Sequence, residues 1–444
     1  MDAASLLEEI RFGYGPRRGA VLAADVLDVD RVLAQLTAPD SAGATWDRPG
    51  MADRFALIDQ YNRQKKTLAG VSSAVAAALK QTVLDDDATF IGRPAFADAG
   101  FVERLVNLWA NRITISNASG GVLRYYQSFR DEAIRPHIAT RYADMLRATL
   151  WHPGMQNYLT QTNSFGPNSV AGMKKGRGLN ENLAREFLEL HSMRTGFSQT
   201  DVTELAKLLA GMANDEKGQR VDVRRVEPGR KTILGLNFDD IDPEAEINRL
   251  VEYVALRPET AHNVGFTLAR HFMADDPPED LVAALATTYL AHDSALPPLY
   301  RVLLKHPAAR SAARLKLRSP QEYVSATLRL LGLTEAAAAP VMAKLVRKFP
   351  GALAAMGQPP FRALRPDGWP EVSEGWLTPP MVAARLDWAV DLARRAGDRI
   401  DPVDMAQTAL GTYASPLILQ AVGRAEQRWE GLAVLLGSPE FSRR

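Results

Sequence analysis

Asn180-Glu181-Asn182-Leu183-Ala184-Arg185-Glu186-Phe187-Leu188-Glu189-Leu190-His191 is followed by Ser198-Gln199-Thr200-Asp201-Val202-Thr203-Glu204-Leu205-Ala206-Lys207-Leu208-Leu209. In the first segment Leu183, Phe187 and Leu190 stand at i, i+4 and i+7, the apolar stripe of a helix, and Asn180 can cap it. In the second, Ser198 and Asp201 have the spacing of a capping box. Its stripe is Val202, Leu205, Ala206 and Leu209, ending near Gly211.

The same period dominates outward in both directions. Residues 51–84 read as a long helix or a helix pair. Residues 96–111 read as another, with Phe101, Leu105 and Leu108 on one stripe. Residues 245–350 return to helices punctuated by Pro258, Pro277-Pro278, Pro297-Pro298 and Pro320. Two stretches break the pattern. Residues 163–178, rich in Gly, Pro, Asn and Ser, read as an irregular loop, as do 357–380, rich in Pro, Gly and Trp. Pro379-Pro380 then opens a helix through about Arg395. The one β element is 219–236, read as a hairpin with its turn at Glu227-Pro228-Gly229-Arg230. The fold expected is all-α, a mainly helical orthogonal or bundle-like body with one small β-hairpin insertion. Its parts are residues 1–213, 214–245 and 246–444, in one compact unit.

Composition narrows the function classes. The 53 Lys and Arg balance 52 Asp and Glu, a net charge of +1, so no nucleic-acid partner is expected. The basic run Met173-Lys174-Lys175-Gly176-Arg177 is short and reads as a solvated loop. With no cysteine, disulfides, thiolate metal sites and a Cys nucleophile are excluded. The start of the chain lacks a basic region followed by an apolar one, and no window reaches the roughly 20 apolar residues of a membrane span. A cytoplasmic protein is expected, unless an exported partner carries it out.

Segment 179–191 resembles the hallmark of the bacterial domain of unknown function 1800 family. Other segments agree in order: Arg11–Pro16, Glu132–His137, Gly166–Ser169, Asp201–Ala206, Lys231–Gly235, Leu268–Phe272, Gly357–Phe361 and Trp376–Pro379. The resemblance supplies a grouping and no activity. It implies that members are often exported, and a phosphatase-like protein of a neighbouring uncharacterised family as a possible partner. There are departures. Members show Trp-x-Asn-His-Phe where this chain has Trp109-Ala110-Asn111-Arg112-Ile113. They show Leu-Asp-Asn where it has Leu159-Thr160-Gln161, and His-Asp-x-Gly where it has Val226-Glu227-Pro228-Gly229. Two imidazoles and a carboxylate are missing, which implies a degenerate member if those positions are catalytic.

On the hallmark helix Asn182, Glu186 and Glu189 share a face, with Arg185 beside it. Glu186 and Glu189 are candidate catalytic carboxylates, with Asn182 and Arg185 as binding residues, and the face could hold a divalent metal. The alternative is a solvated face stitched by Glu181–Arg185 and Arg185–Glu189 pairs. His137 is a further candidate because it lies in a family-like segment; the other histidines read as core or surface residues. Trp369 and Trp376 could line an apolar cleft, with Arg385 reaching an anionic group, or simply anchor their loop. The reading that follows is a binding or assembly protein acting with a partner. The alternative is a metal-dependent or carboxylate-based hydrolase at Asn182, Glu186 and Glu189.

Overall fold

A computed structural model describes residues 5–20, 27–67, 70–116, 122–215, 218–332 and 349–444. Part of the helical stretch 245–350, residues 333–348, lies outside them. The described residues are mainly helical, with two small antiparallel two-stranded sheets among them.

The 51–84 stretch is a helix pair, α1 (Met51–Lys65) and α2 (Ser73–Phe96), the second running past Leu84. A buried ion pair joins them: both Arg54 terminal nitrogens lie 2.8 Å from the Asp86 carboxylate. Helix α3 (Gly100–Arg112) buries Phe101, Leu105 and Leu108 as its stripe predicts. Helix α4 (Gln199–Leu209) begins in the Ser198–Asp201 capping box and buries Val202, Leu205, Ala206 and Leu209. Gly211 follows with φ +98°, a conformation few side chains tolerate.

The β element differs in detail. Strand β1 (Met212–Asp215) pairs with β2 (Gly218–Val221), and β3 (Lys231–Ile233) with β4 (Leu236–Phe238). The second hairpin turns at Leu234-Gly235, both at positive φ. Glu227-Pro228-Gly229 links the hairpins and is not a hairpin turn. The Glu227 carboxylate is engaged instead by the Asn168 backbone N–H and side-chain amide, 2.9 and 2.6 Å away. The 163–178 stretch is less irregular than its composition suggests: Val170–Lys175 is a short helix capped by Ser169.

Beyond the hairpins, α5 (Pro258–Phe272) packs on α6 (Glu279–Ala291), and α6 on α7 (Leu296–Lys305). Prolines stand in the first turn of α5 and α7, where a missing N–H costs nothing. Helix α8 (Pro320–Leu330), also Pro-initiated, packs on α2, and α9 (Pro379–Ala396) packs on Arg428–Gly437. An aromatic cluster ties early and late segments. Phe12 lies 6.1 Å from Phe101 and 5.4 Å from Phe272, and Phe101 lies 5.7 Å from Tyr300. No helix among the described residues is long and apolar enough to cross a membrane.

Candidate functional site

The hallmark segment is not one regular helix. Asn182–Glu186 is α-helical, and Phe187–Ser192 continues as a π-helix. The wider turn moves the apolar stripe. Leu183, Phe187 and His191 are buried, as are Ala184, Leu188 and Ser192, a repeat of four rather than 3.6. Leu190, expected on the stripe, is only half-buried, and Leu188 takes its place. The N-cap is Glu181 and not Asn180 as expected; Asn180 stands one residue earlier and accepts the Asn182 N–H at 2.9 Å.

Asn182 and Glu189 are exposed and Glu186 is half-buried. Burial raises the Glu186 carboxyl above its ordinary range; Glu189 and Asp367 add to this and Arg185 opposes it. Arg185 itself donates to Gln199 Oε1 at 2.7 Å and Glu181 Oε2 at 3.4 Å. The same Glu181 accepts from Thr203 and Gln199. Arg185 is thus committed to a surface network. Among the described residues no three His, Asp or Glu side chains converge as a metal's ligands would.

A different site forms where other segments meet. A polar cavity of about 50 Å³ is walled in part by Tyr14, Asn111, His271, Gln358 and Trp376. Tyr14, His271, Gln358 and Trp376 come from different segments that carry the family resemblance, and Asn111 is the residue that keeps the Asn of the family's Trp-x-Asn-His-Phe pattern. His271 Nδ1 lies 2.8 Å from Glu371 Oε2. Asn111 donates to Glu371 Oε1 and to Trp369 O, each at 3.0 Å, and accepts the Trp369 N–H at 2.7 Å. Lys316 pairs with Asp275 at 2.6 Å and donates to the Glu371 carbonyl. Glu322 is held by Arg104 and Arg444, and Arg444 also donates to the His271 carbonyl at 2.8 Å.

The electrostatics follow from this packing. Burial pushes His271 down to about 4, overcoming the attraction of Glu371. Burial alone would raise Glu371, but His271, Lys316 and Arg444 hold it down at about 2. The same balance keeps Glu322 well below the carboxylate range, through Arg444 and Arg104. At neutral pH His271 is therefore neutral, donates from Nδ1 to an ionised Glu371, and leaves Nε2 as an acceptor. That Nε2 is buried and has no partner among the described residues.

Next to the cavity opens a cleft of about 610 Å³, sharing Asn111, Trp369, Pro370, Glu371 and Trp376 with it. Trp369 and Trp376, whose rings lie 6.2 Å apart, stand between the two spaces. Arg112, Arg194 and Arg270 line the cleft. Arg112 donates to Asn263 Oδ1 at 3.2 Å, and its buried Nε has no partner among the described residues. Arg270 donates to the Asp275 carbonyl and stacks on Phe266. Arg194 follows the π-helix at φ +66°, its N–H bonded to Leu188 O at 3.0 Å. The hallmark segment thus reaches the cleft through the residue that ends its unusual turn, not through its carboxylates.

The aromatic loop is where the sequence places it, since Trp369 and Trp376 line the cleft. Arg385 does not join them. It is buried over the Tyr323 ring, 4.8 Å from the centroid, and donates to Arg318 O. His137 is remote in its contacts, touching Thr140, with Asp144 and Arg147 nearby. The 163–178 stretch lines neither space; it packs on 222–227 through Gly166, Asn168 and Ala171. Sequence reasoning missed Glu371, Lys316, Arg194 and Arg270 and passed over His271. The available signal was that Asn111 and His271 fall in family-like segments.

A family model described as protein of unknown function (DUF1800) matches residues 9–443. No curated protein and no solved structure matches the chain.

Proposed function

The chain belongs to the DUF1800 family, and from that membership, which carries no activity with it, we propose that this protein binds a ligand presenting an anionic group to the cleft beside Trp369 and Trp376. One observation carries the reading. Arg112, Arg194 and Arg270 line a single cleft, and none has a carboxylate ion pair among the described residues. Arg194 is exposed, but Arg112 and Arg270 are half-buried, and most other buried or half-buried arginines are paired, as Arg54, Arg93, Arg104 and Arg135 are. A charge-assisted hydrogen bond from an unpaired guanidinium is among the stronger polar contacts a ligand can gain. Phe266, Trp376 and Met381 supply apolar surface next to it. Arg112 stands where the family resemblance places a histidine, so this departure adds a permanent cation to the cleft.

Tryptophan fluorescence tests the reading. Titration with inorganic phosphate, succinate or benzoate should give a saturable change for at least one anion. That change should vanish in Trp369→Phe and weaken at least tenfold in Arg194→Ala. No saturable change with any anion, or an unaltered response in Arg194→Ala, overturns it. A phosphatase-like partner belongs to the same proposal on the resemblance alone.

Hydrolysis is the second reading. Glu186, with its raised carboxyl, is the support for chemistry at Asn182, Glu186 and Glu189. The His271–Glu371 pair, with Nε2 unengaged in a polar cavity, is a second place for a base. Chromogenic esters and phosphoesters, offered to wild type, Glu186→Gln and His271→Gln, decide it. Turnover in none of them, or equal turnover in all, ends this reading.

A further inference from the structure

The cleft does not end at Arg270. A second hollow of about 570 Å³, walled by Met193, Pro258, His262 and Asn263 among others, shares Arg194, Phe266 and Arg270 with it. The two hollows form one groove, and one helix face is its floor. Glu259, His262, Phe266 and Arg270 recur along α5 at i, i+3, i+7 and i+11. At the helical rise this floor is about 16 Å long. An extended chain crosses that distance in about five residues.

The groove's chemistry alternates along its length. The Phe266 ring has the Arg270 guanidinium 4.3 Å from its centroid and the Arg194 guanidinium 6.0 Å away. The His262 ring lies nearly parallel to it at 6.3 Å. Met193 is at one end and Met381 and Leu364 at the other, and Leu364 is 94% exposed. The acidic residues lining the groove are largely spoken for: Glu259 pairs with Arg257 and Asp367 with Arg365, while Glu371 is offset by nearby Lys316 and Arg444. Glu374 is the remaining rim carboxylate. The cationic character of the floor is therefore not cancelled locally.

We infer that this groove binds an extended peptide segment of another protein in which acidic residues alternate with apolar ones. The inference rests on the cleft being an anion site and adds the length and polymeric nature of its ligand. A small anion held by Arg112, Arg194 and Arg270 would leave the exposed His262 uncovered. A saccharide would stack on the aromatic rings but leave Leu364 and Met381 facing hydroxyls. An extended peptide sends successive side chains to opposite sides. Its carboxylates can meet Arg194 and Arg270 while its apolar residues cover Met381 and Leu364, as acidic motifs are read by arginine clusters.

Fluorescence anisotropy of a dye-labelled peptide of about eight residues, alternating Glu and Leu, tests this with the full chain. Saturable binding is expected, weakening at least tenfold between low salt and ~0.5 M as exposed charges are screened. His262→Glu, at the far end of the groove and on an exposed position, should weaken the peptide at least tenfold. It should weaken the small-anion fluorescence titration far less than the peptide, because only the peptide covers His262. If the small anion binds and the peptide does not, this inference fails while the anion site stands. If neither binds, both fail. Equal binding of a Lys-Leu peptide, tighter binding of a heparin oligosaccharide, or indifference to His262→Glu would each overturn the peptide assignment.

Discussion

His271 Nδ1 on α5 lies 2.8 Å from Glu371 Oε2, and Asn111 at the end of α3 holds the other oxygen of that carboxylate at 3.0 Å. One carboxylate thus fastens the aromatic loop to two helices. Glu371→Gln keeps the shape and removes the charge. It should cost about 1.5–3 kcal/mol, the range for hydrogen bonds to charged groups. Denaturant midpoints measure this, and Trp369 and Trp376 should report the loosened loop by a red-shifted emission. An unchanged midpoint would mean the loop is held by its other contacts.

Gly368 precedes Trp369 with φ +83°, and a Cβ there would lie 2.2 Å from the Asn111 carbonyl oxygen. Gly368→Ala combines strain with a backbone clash. A loss of at least about 1–3 kcal/mol is expected, with weaker anion binding because the clamp from Asn111 is displaced. Wild-type stability in this variant would contradict the close approach.

Two buried histidines make the protein acid-sensitive. Burial, aided by nearby Arg112, pushes His191 down to about 3, and burial pushes His271 to about 4. A depressed histidine contributes stability that is complete above its unfolded pKa, near 6.5. That contribution is lost as pH falls through the folded value. Melting temperature should therefore fall between about pH 6.5 and pH 4, before the depressed Glu371 begins to protonate. His191→Gln should flatten this part of the profile; an unchanged slope would remove His191 as a cause.

Glu186 carries the opposite sign. Its folded-state pKa is raised, so its ionised form is disfavoured in the native protein and destabilises it at higher pH. Glu186→Gln should leave stability within about 0.5 kcal/mol of wild type or slightly above it. Melts with added Mg²⁺ or Ca²⁺ complete the test. A cation-dependent rise in wild type that disappears in Glu186→Gln would instead place a metal on the Asn182, Glu186 and Glu189 face.

The Arg54–Asp86 pair joins α1 to α2 from inside, with both side chains almost fully buried. Asp86→Ala would strand the guanidinium and should cost about 3–5 kcal/mol. Circular dichroism melts would show it. A cost under about 1 kcal/mol would mean that water reaches Arg54 there.

Local signals were enough to read the helices. The Ser198–Asp201 box, the Val202 to Leu209 stripe and the prolines opening α5, α7 and α9 act within a turn or two of backbone. Such elements are set by neighbours in sequence, and so was the left-handed end near Gly211. The hallmark segment shows the limit. Its residue types permit an α-helix throughout, yet packing imposes a π turn at Phe187–Ser192, buries Leu188 in place of Leu190, and aims Arg194 at the cleft. A choice between an α turn and the wider π turn depends on what the face must cover, and that surface comes from elsewhere in the chain. The polar cavity is the same case at larger scale. Tyr14, Asn111, His271 and the loop residues Gln358 and Glu371 are separated by long stretches of sequence, and no spacing rule connects them. Family-like segments marked where several of these residues lie; only the packing of α3, α5 and the aromatic loop brought their side chains within hydrogen-bonding distance and set the charge each one carries.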